Sequence, residues 1–235
     1  MAVTTDTIPA DAIPVLDHGF VRLDGAMADD LSVVNAARVS FARRKLEVDE
    51  SDEGLIRFLM RDRHGTPFEH NAFRYHVRCP IFVAREWFRH RISSFNEFSL
   101  RYARATEDFY VPEAADVRTQ VGKPGAYSFE PVDAELAERT REELQAVYEE
   151  AYAAYERLVE AGVARELARS VLPVGAYTQF FWTVNARALM NFLSLRNSEF
   201  AQLEIRRYAE AVEVPFAELM PVTHAAFVAN NRTAP

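Results

Sequence analysis

Residues 89–102 read RHRISSFNEFSLRY, and Arg104 follows two places later. An arginine's planar guanidinium donates paired hydrogen bonds that match a phosphate or a carboxylate. Arg89 and Arg91 lie two apart, so they cannot share one helical face. If a helix ends there, they can grip two anionic groups, or two sides of one ligand. Glu97, Ser99 and Arg101 alternate, and in an extended stretch they project to one side as acceptor, hydroxyl and cation. That set suits a nucleotide: cation and hydroxyl for the phosphate, an acceptor for the sugar hydroxyls. The plainer reading is a solvated helix end carrying surface ion pairs.

A second constellation lies downstream. Asn185 can cap a helix over 186–196. Arg187 and Asn191, at i and i+4, then share a face, with Arg196 at the far end. A helix N-terminus bearing Asn and Arg is a natural anion or amide site; the alternative is an ordinary cap and an arginine turned to water. Other chemistry has less support. Ser99 has no inferable His–Asp partner to activate it. Cys79 falls on the apolar face of an expected strand, where a thiol packs as a small hydrophobe. His64, His70 and His76 recur every six residues, which fits neither one helical face nor a zinc pattern, so no metal is expected.

Composition narrows the partners. The 235 residues carry 27 Lys plus Arg against 35 Asp plus Glu, a net charge of -8. A general nucleic-acid surface would need a basic face, so any anion site must be local. The single cysteine excludes an intrachain disulfide and suits a reducing cytoplasm. No apolar run reaches membrane-spanning length. With 49% apolar residues, a substantial core can be buried.

The elements that must position these groups can be read in outline. Residues 1–14 read as a flexible leader and 15–27 as a strand pair around a turn. Asp29 or Asp30 caps a helix reaching 36–38, and a second helix fills 52–63 until Gly65 and Pro67 stop it. Residues 71–79 alternate, with Phe73, Tyr75, Val77 and Cys79 on one face, as a half-buried strand does. Pro80 opens a helix through 81–88, and the middle of 89–102 is expected to be loop. Three prolines and two glycines make 111–132 a surface loop. A long amphipathic helix over 133–162 carries Leu136, Leu144, Tyr148, Tyr152, Tyr155 and Leu158 as its stripe. A short helix over 164–171 and a strand over 177–184 follow. After the helix capped by Asn185, Ser198 caps another, and a last short helix follows Pro215. The fold class is α+β: a single domain over 15–235 with a small β-sheet packed by several helices.

These residues also resemble a known family. Arg89-His90-Arg91, seven residues, then Ser99 is similar to the R-H-R-x7-S signature of flavin-dependent thymidylate synthases. AARVSF (36–41), TPFEH (66–70), PIFVAREWF (80–88), VLP (171–173), FFWTVNARALMNFLSLR (180–196) and EIRRYA (204–209) extend the resemblance over roughly 15–228. It implies synthesis of dTMP from dUMP. Methylenetetrahydrofolate would give the one-carbon unit, and FAD recharged by NADPH the hydride. It implies a homotetramer whose active sites form at subunit interfaces.

Residue by residue, the resemblance places Glu86, Arg89, Glu97, Ser99, Leu100 (through its backbone), Arg101, Arg169 and Arg196 at dUMP. It places Ser40, Thr66, Glu69, Arg89, His90, Arg91, Ile92, Glu97, Asn185, Arg187 and Asn191 at FAD. His64 and Tyr102 fall on the folate side. Arg196 is the implied catalytic residue: a guanidinium beside uracil N3 would stabilise negative charge developing on the ring. Glu86 is an unfavourable neighbour for a phosphate unless an arginine or a sugar hydroxyl intervenes. No nucleic acid or membrane partner is expected, and the expected compartment is the cytoplasm. Two other functions fit the same cluster. One is an RNA- or nucleotide-binding module stacking bases on Phe95, Phe98 and Tyr102. The other is a flavin-dependent uracil methyltransferase acting on RNA. An interaction protein without catalysis would leave the block from Asn185 to Arg196 unexplained.

Overall fold

The computed structural model describes residues 8–123 and 126–235. In chain order the strands are β1 (Ile13–Val15), β2 (Gly19–Met27), β3 (Ala72–Pro80), β4 (Ser94–Glu97), β5 (Arg118–Lys123), β6 (Ala126–Pro131) and β7 (Tyr177–Val184). The helices are α1 (Asp30–Arg38), α2 (Glu50–Arg61), α3 (Ile81–Trp87), α4 (Ala134–Glu160), α5 (Arg165–Ala168), α6 (Ala186–Arg196), α7 (Leu203–Leu219) and α8 (Pro221–Ala229). Five strands form one antiparallel sheet in the order β1-β2-β3-β7-β4. The α+β expectation matches this architecture.

Alternation along β3 and β7 gives the sheet a dry face. Phe73, Tyr75, Val77 and Cys79 are buried, as are Phe180, Trp182 and Val184. Helices α3, α6 and α7 cover that face, and Trp87 of α3 is the hub. Its ring meets Trp182 at 5.2 Å, Phe180 at 5.4 Å, Phe192 of α6 at 4.8 Å and Tyr208 of α7 at 6.1 Å. Each such side chain removed from water contributes roughly 1.5–3 kcal/mol. The opposite face carries Arg74, His76 and Phe181, with His76 stacked on Phe181 at 4.8 Å.

The caps follow the sequence with one exchange of roles. Asp29 caps α1 by accepting from Ser32 N. Asp30 is buried and accepts from Val222 N, Thr223 N and the Thr223 hydroxyl, so it caps α8 across the molecule. Asp49 caps α2, which begins at Glu50, two residues before the expected start, in a capping box with Asp52.

Several expectations are corrected. Ile13 and Pro14, assigned to the leader, pair with Val21 and Phe20; residues 1–7 of that leader lie outside the described residues. The middle of 89–102 contains β4, whose Phe95 packs on Phe88, Phe180 and Trp182. The 111–132 loop contains the β5–β6 hairpin, with exposed side chains along nearly its whole length. Ser198 caps no helix: α7 begins at Leu203, and the Ser198 hydroxyl accepts from Phe200 N within a turn. Nor does Pro215 start a helix, for α7 runs through it and the break falls at Met220 and Pro221. The stripe of α4 is thinly covered. Tyr155 is fully buried and Tyr148 stacks on Phe109 at 4.9 Å, but Leu136 is exposed.

Candidate active site

A cleft of about 600 Å³ opens where the turn after α3 meets β7 and α6. Its walls are Arg89, His90, Arg91, Ile92 and Ser93 from the turn, Trp182 and Val184 from β7, and Asn185, Arg187, Ala188, Asn191, Leu195 and Arg196 from α6. Glu69, Ala234 and Pro235 complete it. The turn is tight because α3 stops at Trp87: His90 N donates to Trp87 O at 3.0 Å, and the Ser93 hydroxyl donates to His90 O at 2.7 Å. The expected grip by Arg89 and Arg91 at a helix end therefore has its helix end.

The N-terminus of α6 forms the opposite wall. The Asn185 side chain accepts from Ala188 N at 2.9 Å, and that of Asn71 accepts from Ala186 N at 2.7 Å. Arg187 Nη1 donates to Glu69 Oε1 at 2.6 Å, and its Nε to Pro235 O at 2.9 Å. Gly65 lies beneath. Its φ of -73° is open to any residue, but a Cβ there would stand 2.4 Å from Arg187 Nε. Glycine is needed for the close approach, not for the turn.

Arg196, at the other end of α6, is held at two points. Its Nη1 donates to Glu86 Oε2 at 2.9 Å and its Nε to His90 Nε2 at 3.1 Å. Guanidinium is always a donor, so His90 Nε2 accepts and the imidazole proton sits on Nδ1. Burial first, and the neighbouring Arg196 charge second, lower the His90 pKa to about 4. His90 is therefore neutral at pH 7, and its ring packs edge-on against Phe192 at 5.0 Å. Arg187 and Arg196 are paired with Glu69 and Glu86, whereas Arg89 and Arg91 line the cleft with no acidic partner among the described residues, so an anionic ligand fits there. The indole N–H of Trp182 is buried in the core face behind the cleft with no partner among the described residues.

The other residues singled out by the sequence do not line this cleft within one chain. Glu97, at the end of β4, accepts from the Thr178 hydroxyl at 2.8 Å. Ser99 accepts from Arg101 N at 3.4 Å, Leu100 packs into a small cluster with Ala105, Tyr155 and Ala168, and Arg101 stacks over Tyr102 at 5.0 Å. Arg169, at the end of α5, donates to Glu166 O. Ser40 and Thr66 are exposed in short turns, and His64 lies against Phe58 at 5.4 Å. Cys79 is buried, and burial pushes its thiol pKa up. No group of His, Cys, Asp or Glu that could hold a metal occurs among the described residues.

The sequence reading missed part of the wall. Leu195 was legible, being i+4 from Asn191 on the face already identified. Trp182 was hidden by the apolar alternation of β7. Asn71 and Pro235 carry no local signal, because chain folding alone brings them to α6. A second cavity, of about 540 Å³, lies between β1 and α7. Its only lining cation, Arg207, is paired with both oxygens of Asp116 at 2.6 and 2.8 Å, so it offers no free anion site.

Residues 22–222 match the family model described as thymidylate synthase complementing protein. The chain belongs to that family. It is 49% identical over 217 residues to a flavin-dependent thymidylate synthase of Thermotoga neapolitana, covering 92% of this chain and 94% of the relative. It is 46% identical over 243 residues to the flavin-dependent thymidylate synthase of Streptomyces coelicolor, covering 97% and 99%. Among solved structures, the UMP/dUMP methylase PolB of Streptomyces cacaoi superposes with TM-scores of 0.86 and 0.87 at 45% identity. Its 5-Br UMP form covers 94% of this chain and 97% of that one; its 5-Br dUMP form covers 95% and 100%. The resemblance drawn from R-H-R-x7-S is thereby confirmed over most of the chain.

Proposed function

We propose that the cleft binds FAD along the N-terminus of α6 and the Arg89–Arg91 turn, with dUMP beside it at Arg196. The chain is a flavin-dependent methyltransferase of the thymidylate synthase class. Its reaction takes dUMP, methylenetetrahydrofolate, NADPH and a proton to dTMP, tetrahydrofolate and NADP⁺. The flavin supplies the hydride. Arg187, Asn185, Asn191 and the Arg89–Arg91 turn hold the cofactor, with Glu69 fixing Arg187. Arg196 donates to the uracil edge, where its charge favours ionisation at N3 and enriches C5. The observation that carries this reading is the Arg196 guanidinium, oriented by Glu86 and His90 at the wall of a cationic cleft.

Glu97, Ser99, Leu100, Arg101 and Arg169 are the dUMP pocket in this reading, Ser40 and Thr66 reach FAD, and His64 and Tyr102 lie on the folate side. They stand away from the cleft of their own chain, so the site is completed by neighbouring copies in a homotetramer. Phe41, next to Ser40 in sequence, and Tyr102 are large apolar side chains exposed to solvent. Exposed groups of that kind favour assembly. No helix among the described residues is long and apolar enough to cross a membrane.

The test is product formation with purified protein, FAD, NADPH, methylenetetrahydrofolate and dUMP, read as dTMP by chromatography; absence of dTMP contradicts the reading. PolB's ligands favour a second substrate, UMP. Methylation of UMP at a rate similar to dUMP would extend the function to ribonucleotides, and its rejection would confine the enzyme to dTMP synthesis.

A further inference from the structure

Arg196 has three sites from which to donate, and two are already engaged. Nη1 meets the Glu86 carboxylate at 2.9 Å and Nε meets His90 Nε2 at 3.1 Å, while Nη2 has no protein acceptor among the described residues. An unrestrained arginine on a helix end samples many rotamers. Here a carboxylate from the last turn of α3 and an imidazole from the following turn fix the guanidinium plane from two sides. The fork then has one edge left, and Arg196 lines the cleft. Glu86 sits on the same α3 whose Trp87 is buried against Trp182 and Phe192, so the helix that carries its carboxylate is fixed in the core.

Resting on the functional reading above, we infer that Glu86 is a positioning residue. It acts on the reaction through Arg196, presenting Nη2 to the uracil, in place of the direct contact with dUMP that the resemblance implies. This also resolves the presence of a carboxylate in a site for a dianion: its charge is spent on the guanidinium. A glutamine retains a carbonyl acceptor at the same reach, whereas an alanine removes the clasp.

Glu86→Ala and Glu86→Gln should be compared for turnover, for KM with dUMP and for FAD affinity, each also in an Arg196→Ala background. Glu86→Ala should lower kcat at least about tenfold while FAD affinity stays within about twofold, and Glu86→Gln should recover most of the loss. In the Arg196→Ala background the same change should alter kcat less than about twofold, because groups acting through one another are not additive. A Glu86→Gln enzyme as slow as Glu86→Ala, an equal loss in both backgrounds, or a defect confined to KM would overturn the assignment. If the unmodified enzyme makes no dTMP, the functional reading fails instead. The crystal structure of Glu86→Ala then decides the positioning role: a guanidinium within about 1 Å of its original place defeats it, and a displaced one supports it.

Discussion

Arg196 gains its setting from residues 106 and 110 positions away in sequence, His90 and Glu86. The R-H-R triplet and the arginine at the end of α6 are both legible in the sequence, but their contact is not, because no local pattern encodes it. Arg196→Ala should retain FAD, which is held by other side chains, and lose turnover by about 10²–10³-fold, the usual cost of removing one donor to a developing anion. Near-normal turnover in a steady-state assay contradicts the role. His90 makes a second residue-level prediction. Its folded pKa of about 4 lies below the ordinary histidine value of about 6.5. Between those limits the unfolded chain binds a proton that the folded chain refuses, so stability is full above pH 6.5 and falls as pH drops toward 4. Urea unfolding from pH 7 to pH 5 should show this decline, and His90→Asn should flatten it. An unchanged slope in the variant would place the proton uptake elsewhere.

At the scale of elements, the sequence was legible where one face is buried and the other wet. Phe73, Tyr75, Val77 and Cys79 announce β3, and Asn185 announces α6. β4 escaped notice because four residues are too few to show a period and Asn96 and Glu97 read as loop. The β5–β6 hairpin escaped for another reason: nearly all its side chains are exposed, its apolar alternation is limited to Tyr127 and Phe129, and its Pro and Gly content imitates a loop. Pro215 misled because it sits inside α7, buried against the core, where packing overrides the breaker signal. β4 matters to function because it leads into Glu97, Ser99 and Arg101 and is bonded to β7 alone within the sheet. Phe95 is its anchor. Phe95→Ala should cost about 2–3 kcal/mol of unfolding free energy, below the figure for a fully buried phenylalanine, and should raise KM for dUMP. Denaturant titration with kinetics checks both; unchanged stability would mean that β4 is held by its backbone bonds alone.

On the scale of the whole molecule, the positive well is local within an acidic chain, as dianionic dUMP, the FAD diphosphate and folate carboxylates require. One chain brings the turn and α6 together, but leaves the 99–102 segment, Arg169 and Ser40 apart from that cleft. A site shared between copies predicts that assembly and flavin are lost together. Phe41→Asp places a charge on a side chain that is 77% exposed in the single chain and does not line the cleft. It should leave the fold intact, break the proposed tetramer in light scattering and release FAD. A monomer that keeps stoichiometric flavin would show that one chain suffices.

The central claim, that this cleft passes a hydride from reduced flavin into a methyl group built on dUMP, has a direct optical test. The visible spectrum of the FAD-loaded protein is recorded without oxygen, NADPH is added, and dUMP and methylenetetrahydrofolate follow singly and then together. The flavin bands should bleach with NADPH and return only when both substrates are present, with dTMP formed in equal amount. Bands that stay bleached with both substrates, or a protein that takes up no flavin, would contradict it.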